Sequence, residues 1–236
     1  MGGTVTRTRG FTLVELAVAL AVLALLLGML IVPLNAQVDQ QRINDTRKQL
    51  DQISEAILGF AVTNGRLPCP ALATTANTVS GAGTENRTAP NCNGIAGGVA
   101  AGVVPWAALG LPEADAWGRR FTYVVTTTFA DDPAGGLQAT ISLTDTGSIN
   151  VTSGGGTPVT MATGMAAVIV SHGKNGLGAF QTDGLQVSGA TGDELENANG
   201  NTAFIAKIPE PSFDDIVVWI SPNILKSRMV AANRLP

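Results

Sequence analysis

The hydrophobic pattern of this chain changes character twice. From Leu16 to Leu34 no residue carries a charge, and at about 1.5 Å of helical rise per residue such a run reaches roughly 28 Å, the thickness of a bilayer's hydrocarbon core. A membrane-crossing helix is predicted there. In the next stretch, NAQVDQQRINDTRKQLDQISEAILGFAVTNG (35–65), the apolar residues Ile43, Leu50, Ile53, Ile57 and Phe60 recur at helical spacing on a polar background. A single stripe of this kind needs a surface to pack against. Asn64 and Gly65 form a C-terminal stop, with Pro68 and Pro70 beyond it, so one helix is expected from about Phe11 to Thr63. Pro33 lies inside it. Proline removes a backbone hydrogen bond and clashes with the preceding turn, so a kink or local melting is expected at that point, or else a simple end of the membrane span.

Beyond residue 63 the helical period disappears. Residues 64–105 are rich in Gly, Ala, Thr, Asn and Pro and read as a long loop. Strands are predicted in RRFTYVVTTTFA (119–130), LQATISLT (137–144), MAAVIVSHG (165–173) and DIVVWIS (215–221), where β-branched and aromatic residues cluster. DDPAGG and TSGGGTP punctuate them as hairpin turns, which makes the sheet mostly antiparallel. NILKSRMVAAN near the end is either a short helix or an irregular tail. The expected class is α+β: a long N-terminal helix, half of it transmembrane and half amphipathic, packed on a mostly antiparallel β-sheet head. The expected divisions are 1–10, 11–34, 35–63 and 64–236.

Composition narrows the functional classes. With 28 glycines and 14 % charged residues, the chain resembles neither a disordered tail nor a coiled coil. Lys and Arg number 14 against 18 Asp and Glu, a net charge of −4, and the acidic excess lies after residue 63. Such a head has no basic field for nucleic acid, and no nucleic-acid partner is expected. The two cysteines, Cys69 and Cys92, sit in the loop-like stretch without a neighbouring Cys or His to complete a metal site. They are expected to pair if the compartment is oxidising, the alternative being two unrelated buried thiols. Ahead of Glu15 the only charged side chains are Arg7 and Arg9. The positive-inside rule then keeps the N-terminus cytoplasmic and sends the head outward, into an oxidising space.

Glu15 stands at the edge of the apolar run. A carboxylate near the centre of a membrane helix costs roughly 2.5–3.5 kcal/mol on insertion scales, so an acid here marks a task. The octapeptide RGFTLVEL (9–16) resembles the class III leader of type IV pilins and of the pseudopilins of type II secretion systems. That resemblance implies cleavage after Gly10, N-methylation of Phe11, and an assembly role for Phe11 and Glu15. The new Phe11 amine lies one turn from Glu15, and in a stack of subunits Glu15 can pair with the amine of its neighbour. Pairing offsets the desolvation of both charges.

The head is also similar to the major pseudopilin in the order of three pieces: DAWGRRFTY (with Trp117, Gly118 and Tyr123), SHGKNGLG, and DDIVVW (with Asp215, Ile216 and Trp219). The resemblance implies a structural calcium with Asn175 and Asp215 as matched ligands, although Asn175 stands where the family has an acid. Calcium takes six to eight oxygens, amides and carbonyls included, and Asp193, Asn197, Asn199 and Asp214 add to the set. No other cofactor is expected. Catalysis is not expected either. Ser171 and His172, adjacent on a strand, point to opposite faces and cannot form a nucleophile–base contact, and no phosphate-cradling glycine motif is present. Trp106, Trp117 and Trp219 are read as core or interface aromatics.

The expected function is thus a structural subunit of a type IV pilus-like fibre, foremost a pseudopilin or minor pilin. The alternatives are a major pilin of a surface pilus and a fibre-tip adhesin or DNA-binding module. Its implied partners are copies of itself, other pilins and pseudopilins, prepilin peptidase and the inner-membrane assembly platform. The implied location is the bacterial inner membrane, single-pass with a periplasmic head, and after assembly a periplasmic or surface fibre.

Overall fold

Helix α1 runs unbroken from Leu13 to Asn64. The computed structural model of the chain describes residues 10–131 and 141–235, with the backbone alone at 27–35. The backbone is helical through position 33; the bend expected at Pro33 rests on residues whose side chains lie outside the described set. The chain divides into two compact units, residues 1–42 and 43–236.

In the first unit α1 is apolar on every side from Leu16 to Leu26. Leu13, Val14, Leu16, Val18, Leu20, Val22, Leu23, Leu25 and Leu26 are all at least half exposed, and a helix of this kind has no polar face to turn to water. Among the described residues no helix is long and apolar enough to cross a membrane, and the run Leu16–Leu34 extends into side chains outside that set.

The second unit is built around the last turns of α1. The remaining elements are β1 (Arg87–Thr88), β2 (Asn91–Cys92), β3 (Ile95–Ala96), β4 (Val99–Val103), α2 (Trp106–Leu109), β5 (Thr122–Thr126), α3 (Thr127–Ala130), β6 (Ile149–Thr152), β7 (Thr160–Met165), β8 (Ala167–Ser171), α4 (Gly192–Ala198), β9 (Ala203–Ile205), β10 (Ile216–Ile220) and α5 (Pro222–Ala231). A five-stranded antiparallel sheet has the order β10-β8-β5-β4-β3, and a three-stranded sheet has the order β7-β6-β9. In the smaller sheet β6 pairs antiparallel with β7 and parallel with β9. The unit is α+β with a mostly antiparallel head, as the pattern predicted.

Period-two alternation explains the layering. Tyr123 and Val125 of β5 and Ala167 and Ile169 of β8 join Leu50, Ile53, Ile57, Leu58 and Ala61 of α1 in one core. The alternate residues, Val124, Val168 and Val170, form a second core with Ile149, Val151 and Phe204 of the smaller sheet. The central sheet is covered on both faces, which is why its strands read as continuous apolar runs rather than alternating ones. The predicted stripe is the packed one: Leu50, Ile53 and Ile57 are buried, and Phe60 lies half-buried with Arg66 over its ring.

The C-terminal end of α1 is fastened. Gly65 adopts φ 75° and its N–H donates to Ala61, an αL stop that favours glycine. Arg234 adds to it, donating from Nε to the Val62 carbonyl at 2.8 Å and from an Nη to the Thr63 carbonyl at 2.9 Å. The segment 222–231 resolves as α5, with Ser221 as N-cap accepting from the Asn223 N–H and Leu225 and Met229 buried.

Several expectations require correction. The strand expected over 119–130 is shorter, Thr122–Thr126, because Arg120 is drawn into a buried ion pair and residues 127–130 turn into α3. Of the strand expected at 137–144, residues 137–140 lie outside the described residues and 141–144 form no strand; Ser142 and Asp145 close a turn there. Most of DDPAGG also falls outside them. The loop expected over 64–105 contains four strands, one of them, β4, near the middle of the main sheet. Its VAAGV sequence carries little β signal because the backbones meet closely here: a Cβ on Gly102 would stand 2.3 Å from the Ala71 carbonyl oxygen.

Cys69 and Cys92 form a disulfide, with Cα atoms 5.4 Å apart. Beside it Glu85 accepts a bidentate pair from Arg66, at 2.7 and 3.0 Å, and the Cys69 N–H at 2.6 Å. The segment that lacked periodicity is held by this cross-link and by polar anchors.

Candidate functional site

Two clusters carry the candidate chemistry, one in each unit. At the N-terminus Gly10, Phe11 and Thr12 precede the helix, and Phe11 is 81 % exposed. The Thr12 carbonyl accepts the first intrahelical bond, from Leu16 N at 3.1 Å. Thr12 Oγ1 accepts from the Glu15 N–H at 3.2 Å, while Glu15 Oε2 accepts from the Thr12 N–H at 3.3 Å and from Thr12 Oγ1 at 3.2 Å. This is a reciprocal capping box, a threonine at N-cap and a glutamate three residues on. Sequence reasoning placed Glu15 one turn from Phe11 but missed its partner Thr12, although the signal, Thr-x-x-Glu ahead of an apolar run, was legible. Only Oε2 of Glu15 takes part in these bonds.

The second cluster forms where the loop after β8, helix α4 and the start of β10 converge. One carboxylate oxygen each from Glu194, Asp214 and Asp215 lies within 4.8 Å of the others. Asn175 tethers the group: its N–H donates to Asp214 Oδ2 at 2.9 Å and its Nδ2 to Glu194 Oε1 at 2.6 Å. Its own Oδ1 accepts from Leu177 N at 2.9 Å. Asn175 therefore orients the carboxylates of Asp214 and Glu194, and Glu194 is a member of the cluster that sequence reasoning missed. No local motif signals Glu194, because it arrives from a separate short helix. Gly173, at φ 57°, lets the loop approach: a Cβ there would stand 2.3 Å from the Asp214 carbonyl oxygen.

Asp215 is the inner member. Its Oδ2 accepts from Asn197 Nδ2 at 2.8 Å, and its Oδ1 lies 3.4 Å from Nδ1 of the fully buried His172. His172 Nε2 meets Thr122 Oγ1 at 2.8 Å, whereas Ser171 donates to Asp115 Oδ2 at 2.7 Å. The two neighbouring side chains thus serve different partners. Burial, followed by the nearby Asp215 charge, raises the Asp214 carboxyl above its ordinary range against the bonds it accepts from the loop. Burial likewise raises Glu194, opposed by the Asn175 bond, with Asp215 and Asp214 adding to the shift.

The donor set fits the implied calcium in one specific respect. Asp214 Oδ1 and Asp215 Oδ1 are buried and accept no hydrogen bond, which is costly for a carboxylate unless a cation supplies the missing interaction. Glu194, Asp214 and Asp215 would hold it. The remaining members of the expected oxygen set are committed elsewhere: Asp193 pairs with Lys207 at 2.7 Å, Asn197 bridges Ile205 and Asp215, and Asn199 Oδ1 accepts from Asn201 N. Trp106 lies under the Arg120 guanidinium, 4.6 Å from its carbon, and Trp219 packs in the second core.

Residues 6–31 match the family model described as the prokaryotic N-terminal methylation motif, which is consistent with the type IV pilin and pseudopilin family. The motif indicates a prepilin-like chain and implies processing by prepilin peptidase and assembly with other pilins. No curated protein and no solved structure gave a significant match.

Proposed function

We propose that the chain is a non-catalytic structural subunit of a type IV pilus-like fibre, a pseudopilin or minor pilin of a type II secretion or type IV pilus system. The observation that carries this reading is the methylation motif over residues 6–31, with Glu15 in the first turn of α1 just ahead of the uncharged run that starts at Leu16. Prepilin peptidase cuts between Gly10 and Phe11, and Phe11 is N-methylated. The uncharged run Leu16–Leu34 anchors the chain in the inner membrane, with Arg7 and Arg9 on the cytoplasmic side and the disulfide-bonded head in the periplasm. On assembly, the ammonium group of Phe11 and the Glu15 carboxylate of adjacent subunits compensate one another inside the fibre. The single histidine supports a structural role, since it is buried and bonded to Thr122.

Quantitative mass spectrometry of N-terminal peptides, on sheared surface fibres and on the cell envelope of the same culture, tests the reading. Low-copy peptides beginning at methylated Phe11 and confined to the envelope are expected. Their abundance in the fibres would make this a major pilin, and a chain still beginning at Met1 in both fractions would overturn the processing.

A further inference from the structure

Why does the helix begin at Leu13 and not at Gly10? The apolar sequence from Phe11 onward could propagate a helix in either direction, so its first residue is set by whichever side chain best satisfies the N–H groups that lack an intrahelical acceptor. Thr12 does so from the N-cap position. Its hydroxyl takes the Glu15 N–H, and Glu15 Oε2 returns the favour to the Thr12 N–H. Phe11 and Gly10 are left outside the helix and exposed.

We infer that Thr12 is a positioning residue for processing: its capping box with Glu15 holds the start of α1 beyond the Gly10–Phe11 bond, so that this bond stays in non-helical backbone open to a peptidase. The inference rests on the proposed cleavage after Gly10. In that step water adds across the Gly10–Phe11 amide, leaving a carboxylate on Gly10 and an amine on Phe11. A peptidase must bring catalytic groups and water onto both sides of the scissile carbonyl, and a helical turn covers that backbone. Exposed non-helical backbone is where cleavage concentrates.

The alternative start is identifiable. Glycine is itself an acceptable N-cap, ranking near threonine, and alanine is the best helix former. Replacing Thr12 by alanine removes the hydroxyl and makes Gly10 the next capping position, with Phe11 as the first helical residue. The scissile bond then enters the first turn. Where helix exchange is fast relative to cleavage, the rate follows the population of the open form. A threonine cap outweighs alanine by a factor of about two to thirty, and this range is the expected slowing. The same geometry separates two roles of Glu15: glutamine retains an acceptor oxygen for the box but has no charge for the amine of a neighbouring subunit.

The chain is co-expressed with prepilin peptidase and pulse-labelled, and the ratio of peptides beginning at Met1 and at Phe11 is followed over time. Thr12→Ala is expected to be cut about two- to thirtyfold more slowly than wild type. Thr12→Ser and Glu15→Gln should be cut at close to the wild-type rate, although Glu15→Gln enters no fibre. Formation of Cys69–Cys92 in every variant verifies that the head has folded. Wild-type-rate cleavage of Thr12→Ala, or equal slowing of Thr12→Ser, overturns the inference while leaving the proposed function intact. A wild-type chain that is not cut at Gly10–Phe11 overturns both.

Discussion

Two of the three clustered carboxyl groups, Glu194 and Asp214, are easier to protonate than they would be in water, and the consequence can be read in stability. Burial raises both Glu194 and Asp214 above the ordinary carboxylate range. Between that range, about pH 4, and the raised values, the folded head binds more protons than the unfolded chain, so stability falls as pH rises through the window. A divalent cation takes the proton's place and removes the penalty. The Tm of the metal-free head is therefore expected to fall from mildly acidic to neutral pH, with millimolar calcium restoring it at neutral pH and having less effect near pH 4.5. Glu194→Gln should flatten the pH dependence and weaken the response to calcium. Differential scanning calorimetry with added calcium or chelator measures both. A Tm indifferent to either at neutral pH would leave the cluster as an acidic network without a cation.

At the scale of elements, the disulfide substitutes for missing periodicity. Residues 69–92 contribute short strands and turns rather than a regular hydrophobic face, and cross-linking their ends limits the unfolded chain more than it strengthens the folded one. For a loop of this size the chain-entropy account gives roughly 3 kcal/mol. In a domain of about 150–250 residues this corresponds to a fall in Tm of about 6–12 °C. The double variant Cys69→Ala, Cys92→Ala should show that loss in a thermal melt while keeping the buried Arg66–Glu85 pair. Wild-type stability in the variant would mean that the polar anchors alone hold the loop.

The same region shows what a linear reading can reach. Cys69 and Cys92 were legible because cysteines sharing a polar loop have few alternatives in the oxidising space the leader implies; β8 and β10 were legible because β-branched and aromatic residues cluster in them, and the α1 stripe because its apolar residues recur at helical spacing. Strand β4 was not, since VAAGV is selected by close backbone contact and not by β propensity. Arg120 was hidden too. It lies fully buried, bonded to Glu113 at 2.7 Å and to the carbonyls of Ala73, Thr75 and Thr182, partners 7 to 62 residues away that no local pattern connects. Glu194 escaped for the same reason: the candidate cation site assembles from three distant segments, and only Asn175 and Asp215 sat in recognisable surroundings.

On the scale of the whole molecule, α1 belongs to both units, and the division at residue 42 has a physical basis. Upstream side chains such as Leu16, Leu20 and Leu23 are exposed, whereas Thr46, Leu50, Ile53, Ile57, Leu58 and Ala61 are buried with the head. Each fully buried Leu or Ile contributes about 1.5–3 kcal/mol, so the four among these residues represent roughly 6–12 kcal/mol, comparable to the entire stability of an ordinary domain of about 5–15 kcal/mol. The amphipathic part of the helix is consequently a core element and not a stalk attached to a finished head. A chain beginning at Ile43 is expected to fold, form Cys69–Cys92 and unfold in one cooperative transition, because it keeps every one of these buried residues. A chain beginning at Gly65 loses the helix layer, exposes Phe121, Tyr123 and Ile169 to water, and should lack both a cooperative melt and near-ultraviolet circular dichroism. If the Gly65 chain melted cooperatively, the sheets would be self-sufficient and α1 would serve the fibre alone. The expected failure would instead mean that residues 43–64 of α1 hold the head together, as a helix layer without which the sheets have no closed core.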